Sequence, residues 1–359
     1  MLKFPDRIKK LRELLDKNGY NSILISNDYN RRYLSGFTGS AGFLLITNNK
    51  SLLFTDFRYT EQASLQATGF EIIKIQNPTN WISENIKTLD INSIAFESDD
   101  LTVNYLEKIK QQIKQSKLKI SLEPTVGLIS NIREIKSDNE LTILKKTIEI
   151  SDEAFEAVSE NISPGISEQN IAWEFEKKVR ELGGEAISFD TIVASGPNAA
   201  RPHHKASETL IKKGETIVFD CGARYKGYCS DLTRTIILGT PDKFTRKIYE
   251  IVLAAQETAI ALIESGMTGN DCDAISRSII NKAGYEENFG HSLGHGVGLE
   301  VHELPFLGNK SQNIIEDEMV FTIEPGIYIE GWGGVRIEDI VVMKNGKPKI
   351  LSNATKIRY

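Results

Sequence analysis

All five histidines of the chain, His203, His204, His291, His295 and His302, lie between residues 203 and 302. Four carboxylates stand around them in strand-like or turn-like contexts. They are Asp220 in TIVFDCG, Asp231 in CSDLTRT, Glu324 in FTIEPG and Glu338 in VRIEDI. Imidazole and carboxylate are the donors a protein offers a hard-to-borderline divalent cation. Their confinement to the second half of the chain points to a metal site built by a C-terminal domain.

Spacing sharpens that expectation. A hairpin turn centred between Tyr225 and Lys226 sets Asp220 directly opposite Asp231, with Cβ atoms about 5 Å apart on one face. Such a like-charge pair is destabilising unless a cation lies between the two. The apolar runs TIVF and TIIL beside them argue against a solvated edge. Four carboxylates match the charge of two divalent ions, and a shared hydroxide would complete a two-metal hydrolytic centre.

Among the histidines, Gly294, Gly296 and Gly298 imply close backbone approach around His295, which favours it as the buried one. His203 and His302 are then free to donate to a polarised carbonyl and its oxyanion. His204, adjacent to His203 in an extended segment, should point the other way and be exposed. Each of TIVFDCGARYKGYCSDLTRTIIL and MVFTIEPGIYIEGWGGVRIEDIVVM runs from apolar strand through acid, glycine and tyrosine to a second acid-bearing strand. Two such hairpins facing one another would gather four carboxylates. Chance similarity accounts for the echo equally well.

The elements that must position these groups are legible in the periodicity. Residues 1–122 alternate strands (NSILIS, GFLLIT, SLLFTD, FEIIKI, SIAFES) with helical segments (RYTEQASLQATG, NYLEKIKQQIKQ), an α/β N-terminal domain. The N-terminal segment itself, MLKFPDRIKKLRELLDKNGY, reads as a solvated amphipathic helix rather than a signal peptide. Residues 123–136, with Pro124 and Gly127, read as the connection. From residue 137 a capping box, Ser137 with Glu140, opens a long helix. Three more helices follow, in QNIAWEFEKKVRELGG, FTRKIYEIVLAAQETAIALIESG and NDCDAISRSIINKAG, with strand pairs between and after them. Helices on an antiparallel sheet make residues 137–359 an α+β catalytic half.

Composition closes off other classes. The formal charge of -6 argues against a nucleic-acid partner. The longest apolar stretches fall far short of a membrane span. Cys221, Cys229 and Cys272 show no framework spacing and no CxxC, which fits a reducing cytoplasm and excludes a structural zinc knuckle. Cys229 shares strand parity with the two aspartates and Cys221 does not, so no disulfide between them is expected. No GxGxxG follows an early strand, which rules out a dehydrogenase.

PNAARPHH, FDCGARYKGYCSDLTRT, HSLGHGVGLEVHE, IEPGIYI and GGVRIEDIV together resemble the dinuclear "pita-bread" metallopeptidases of the prolidase, aminopeptidase P and methionine aminopeptidase family. YLSGFTGSAGFLLIT and FTDFRYTEQA resemble the accessory N-terminal domain of the Xaa-Pro-specific branch. The resemblance implies that Asp220 ligates one metal, that Asp231 and Glu338 bridge both, and that His295 and Glu324 ligate the other. It makes Glu324 the proton shuttle, His203 and His302 the transition-state histidines, and His291 a substrate-pocket histidine. One metal would polarise the scissile carbonyl and the other hold the free α-amine.

Arg336, two residues before Glu338, faces the same way on its strand and is placed to orient a ligand carboxylate beside the substrate. Thr233 has the same relation to Asp231. Tyr228 either lines the substrate pocket or is a core aromatic. Arg201 and His204 depart from the small residue and glycine common in the family, which bears on specificity at the pocket mouth. The implied cofactor is a pair of divalent ions, manganese first, with cobalt, iron or zinc able to take the site. The implied partners are short proline-containing peptides, cleaved as dipeptides (prolidase) or longer chains (aminopeptidase P), and a second copy of the chain as a homodimer. The competing class is a non-catalytic peptide-binding module of the same fold. Retention of all five ligand-type residues opposes it.

Overall fold

The computed structural model describes residues 4–76, 81 and 85–356. Two compact units divide the chain, Met1–Arg133 and Glu134–Tyr359. Among the described residues no helix is long and apolar enough to cross a membrane.

The first unit is a six-stranded mixed sheet with helices. Its strands are β1 (Ser22–Ile25), β2 (Phe43–Thr47), β3 (Ser51–Thr55), β4 (Glu71–Lys74), β5 (Ser93–Glu97) and β6 (Ser121–Thr125), in the order β4-β3-β2-β1-β5-β6. The runs SILI, FLLIT and SLLFT are buried almost throughout, as strands covered on both faces must be. Helix α1 (Phe4–Lys17) is not merely a solvated surface helix, because Ile8, Leu11 and Leu15 bury one face of it. Helices α2 (Asp28–Ser35), α3 (Thr60–Gln66) and α4 (Val103–Gln115) are also among the unit's described elements.

Residues 123–136 are not an open connection. They hold the end of β6, paired in parallel with β5, and a short helix α5 (Ser130–Glu134). Pro124 is admissible in β6 because that strand is the edge of the sheet.

The second unit is α+β. Helices α6 (Asp138–Ser159), α7 (Glu168–Glu181), α8 (Lys243–Leu262) and α9 (Gly269–Lys282) carry the expected helical stripes. Ser137 and Glu140 form the capping box that starts α6, with Ser137 N donating to Glu140 Oε2 at 3.1 Å. Phe155 and Phe175 of the first two helices pack on Phe219, with ring centroids 5.2 and 5.7 Å away. Every strand pair in this unit is antiparallel. Strands β7 (Ala186–Ile187) and β8 (Ile192–Ser195) lead into the first of two long hairpins.

That hairpin comprises β9 (Thr216–Cys221), β10 (Ala223–Tyr225), β11 (Tyr228–Cys229) and β12 (Leu232–Ile237). Its register differs from the sequence expectation. Tyr225 faces Tyr228 and Asp220 faces Thr233, so the turn is Lys226–Gly227 and Asp231 is not directly opposite Asp220. Lys226 and Gly227 have φ of 48° and 79°, the two left-handed residues of a type I′ turn. Gly227 decides the placement, since glycine takes that conformation without strain. The difference amounts to two residues of register, which preserves facing, so the aspartates still share one face as diagonal neighbours.

The second hairpin follows β13 (Gly294–Gly296) and β14 (Glu303–Leu307). It runs through β15 (Val320–Ile323), β16 (Gly326–Ile329), β17 (Gly333–Arg336) and β18 (Asp339–Lys344), and β19 (Lys347–Ile350) closes its sheet. Ile323 faces Asp339 and Gly326 faces Arg336 in one continuous register, which brings Glu324 level with Glu338.

Candidate metal centre

The two hairpins that echo one another in the sequence bring their acids together. Glu338 N donates to Thr233 O at 3.1 Å, and Thr233 Oγ1 donates to Glu338 Oε2 at 2.7 Å. Carboxylate oxygens of Asp231 and Glu338 and a ring nitrogen of His295 all lie within 4.8 Å of one another, every one of them buried. His295 Nε2 stands 3.2 Å from Glu324 Oε1 and 3.6 Å from Asp231 Oδ2. Gly294 and Gly296 make that approach possible. A Cβ at either would sit within 2.0 or 2.1 Å of a carbonyl oxygen of the neighbouring strand, Thr322 or Leu304.

The tautomer of His295 follows from its partners. Nδ1 lies 3.1 Å from the Gly296 carbonyl, which only accepts, so Nδ1 carries a proton and Nε2 faces the acids. That is the arrangement of a metal-ligating imidazole, with its far nitrogen donating to a carbonyl.

Two buried oxygens in this cluster, Asp220 Oδ1 and Glu338 Oε1, have no hydrogen-bond partner. An orphaned carboxylate oxygen is costly in the interior unless a cation takes it. The charges give the same answer. Burial pushes the Asp231 carboxyl well above its ordinary range, and Glu338, Asp220 and Glu324 push it further. Glu338 is driven up by burial, then by Glu324 and Asp220. Asp220 rises by burial against the pull of Arg336. Burial also opposes charge on Glu324, yet its bond to His295, the charge of His295 and that of Arg336 hold it at about 2. A donor set that must otherwise take up protons is one that fits divalent cations.

Around the acids sits a second layer. Arg336 Nη2 donates to Asp220 Oδ2, Nε donates to Thr233 Oγ1 at 3.1 Å, and Nη1 donates to Tyr328 Oη at 2.8 Å. Tyr328 Oη lies 2.8 Å from His291 Nε2, while His291 Nδ1 lies 2.8 Å from the Ser292 carbonyl. His291 Nδ1 therefore holds the proton, and the Tyr328 hydroxyl donates to Nε2. Burial keeps the His291 pKa below the ordinary histidine value, which favours this neutral form. His302 packs edge-on to His295 at 4.3 Å between centroids.

Comparison with known proteins now decides the family. Residues 142–345 match the model described as metallopeptidase family M24, and residues 7–135 match the creatinase/prolidase N-terminal domain. The chain belongs to metallopeptidase family M24. A structure described as Xaa-Pro dipeptidase from Bacillus anthracis superposes with TM-score 0.94 at 42% identity, covering 99% of this chain and 100% of that one. One described as X-Pro aminopeptidase from Thermotoga maritima superposes with TM-score 0.90 at 36% identity, covering 98% and 99%. The curated Xaa-Pro dipeptidase of Pyrococcus horikoshii is 39% identical over 96% of this chain and 96% of its own. The pita-bread fold with its accessory domain is thereby established, and the chain is an enzyme of this family.

Within this M24 centre some expected residues lie elsewhere. Tyr228 is 3% exposed and its hydroxyl donates to Glu140 Oε1 at 3.0 Å, the setting of a core aromatic, the other of the two roles its sequence context allowed. His204, expected to be exposed, is half-buried, its side chain turned onto Glu168 with Nε2 at 2.9 Å from Oε2, and His203 is the exposed one of the pair. Arg201 bonds the Asn198 side chain. Cys221, Cys229 and Cys272 are all buried thiols. Tyr328 is the residue sequence reasoning missed. It follows Glu324 by four positions in an extended run, so alternation alone placed it on the ligand face.

Proposed function

We propose that the chain hydrolyses the bond before proline at the N-terminus of short peptides, as an Xaa-Pro peptidase with two divalent ions. The observation that carries this is the convergence of Asp220, Asp231, His295, Glu324 and Glu338, with Asp220 Oδ1 and Glu338 Oε1 buried and unpartnered. The names borne by its relatives, Xaa-Pro dipeptidase and X-Pro aminopeptidase, support the choice of bond. These five side chains would hold the ions, manganese first on a donor set of four carboxylates and one imidazole. When bound, the ions supply an acidified water and Lewis acidity at the scissile carbonyl.

The protein's own groups do the rest. His203 and His302 donate hydrogen bonds to the oxygen that becomes negative as the carbonyl is attacked. Glu324 takes the proton of the attacking water and hands it to the leaving imino nitrogen. A bond before proline has no N–H, so no donor from the substrate is needed there. His291, held by Tyr328, and Arg336 border the substrate side. The reading includes a homodimer, a cytoplasmic location, and a division into domains near residues 122 and 137.

The test is metal content together with hydrolysis of Ala-Pro peptides. The account expects activity lost to a chelator and restored by manganese. A protein that purifies metal-free and stays inert after manganese is added would instead be the peptide-binding module.

A further inference from the structure

Glu168 opens α7 and is fully buried, with 0% of its surface exposed. Its carboxylate collects donors from a single stretch of chain. Oε1 accepts from Ser195 N at 2.8 Å, Ser195 Oγ at 3.0 Å and Asn198 Nδ2 at 2.9 Å. Oε2 accepts from His204 Nε2 at 2.9 Å, Ser207 Oγ at 2.8 Å and Ser207 N at 3.2 Å. An ionised carboxylate only accepts, with about four lone-pair sites, so these donors leave none idle. They also fix the His204 tautomer, since Nε2 must carry the proton.

The surrounding backbone repeats the attachment. Glu168 N donates to Thr209 O at 3.0 Å and Gln169 N to Ser207 O at 3.0 Å, so helix-end N–H groups are satisfied by the same segment. The helix N-terminus in turn favours the negative charge of Glu168. On the other side, Arg336 Nη1 donates to Pro202 O at 3.4 Å, from the guanidinium that also binds Asp220. His203 lies between those two anchors, Pro202 and His204.

We propose that Glu168 is a positioning residue: with His204 as its clasp, it locks residues 195–207 and thereby fixes where His203 stands. This rests on the reading of His203 as the group that meets the reacting carbonyl. Hydrogen bonds to a developing oxyanion lose their effect when the donor is displaced, and a shift of about 1 Å can cost 10²-fold in rate.

The experiment compares wild type with Glu168→Gln and His204→Ala, all manganese-loaded, by three readouts. These are bound metal, kcat and KM on an Ala-Pro peptide, and tryptic cleavage after Lys205, the exposed site in this loop (Arg201 precedes proline and resists trypsin). Gln keeps the shape of Glu168 but turns one acceptor into a donor. It should lower kcat by roughly 10- to 100-fold, leave KM and metal content nearly unchanged, and speed cleavage after Lys205. His204→Ala removes one donor and should move the same readouts in the same direction, by less. Folded Glu168→Gln protein with wild-type kcat, or with wild-type cleavage at Lys205, overturns the proposal. So does a loss of rate that only follows loss of metal. If Glu168→Gln fails to fold, His204→Ala decides, and unchanged kcat and cleavage overturn it. A wild-type enzyme inert on the peptide would overturn the proposed function instead, and the tryptic readout would still judge the lock.

Discussion

Arg336 bonds one oxygen of Asp220 and leaves the other, Oδ1, buried with no hydrogen-bond partner. The guanidinium orients the carboxylate without satisfying it. Arg336 also holds Thr233, which holds Glu338, so one side chain sets the aim of acids on both hairpins. A lysine there keeps the charge but has no planar fork. Arg336→Lys should weaken metal binding roughly 10- to 100-fold, read by titration against a competing chelator. An affinity equal to wild type would contradict the arrangement.

Glu324 carries the proton in the proposed chemistry. Glu324→Gln should reduce kcat by about 10²- to 10⁴-fold, the usual range for a lost general acid-base group. The comparison is made at equal metal content, measured on the same sample. Near-wild-type turnover at full loading would remove Glu324 from that role.

Metal binding should release protons. Burial and mutual repulsion raise Asp231 and Glu338 well above the ordinary carboxylate range, so the metal-free centre holds protons that ligation must expel. Affinity therefore rises with pH, and the heat of manganese binding varies with the ionisation enthalpy of the buffer. These raised groups favour the metal-free fold only at low pH, and chelated protein should lose stability as pH climbs through their folded values. Buffer-independent heats would contradict this.

Glu97 gives the first unit a pH dependence of its own. It is buried on β5, accepting from Ser26 N and Asn27 N at 2.8 Å and from Asn30 Nδ2 at 2.6 Å. Burial outweighs those bonds and raises its pKa from 4.5 to about 7. The stability tied to this group is complete below the unfolded value and is lost as pH rises through about 7. Its size is on the order of 3 kcal/mol. Urea unfolding should show Glu97→Gln with a flatter stability curve between those pH values than wild type.

The clustering of the four acids and His295 was legible because each acid lies in or directly beside a strand whose alternation shows, and because glycines crowd His295. The register that sets Asp220 opposite Thr233 rather than Asp231 was not legible, since Lys226 gives no hint that it adopts a positive φ and only Gly227 does. Parity survived that error and opposition did not. His204 was misread because alternation says which way a side chain points and not what waits there, and its partner Glu168 is 36 residues away. Strand β6 was hidden by Pro124, which an edge strand tolerates. Tyr328 was visible by the alternation that placed Glu324.

The central claim is the reaction itself, and product analysis tests it most directly. Manganese-loaded enzyme is mixed separately with Ala-Pro, Ala-Pro-Ala and Ala-Ala-Ala, and the products are identified. The account predicts alanine released from a proline-containing peptide and none from Ala-Ala-Ala. Ala-Pro alone would mark a dipeptidase, and cleavage of the proline tripeptide an aminopeptidase. Release from all three would contradict the proline reading, and silence on all three with metal bound would contradict the enzyme.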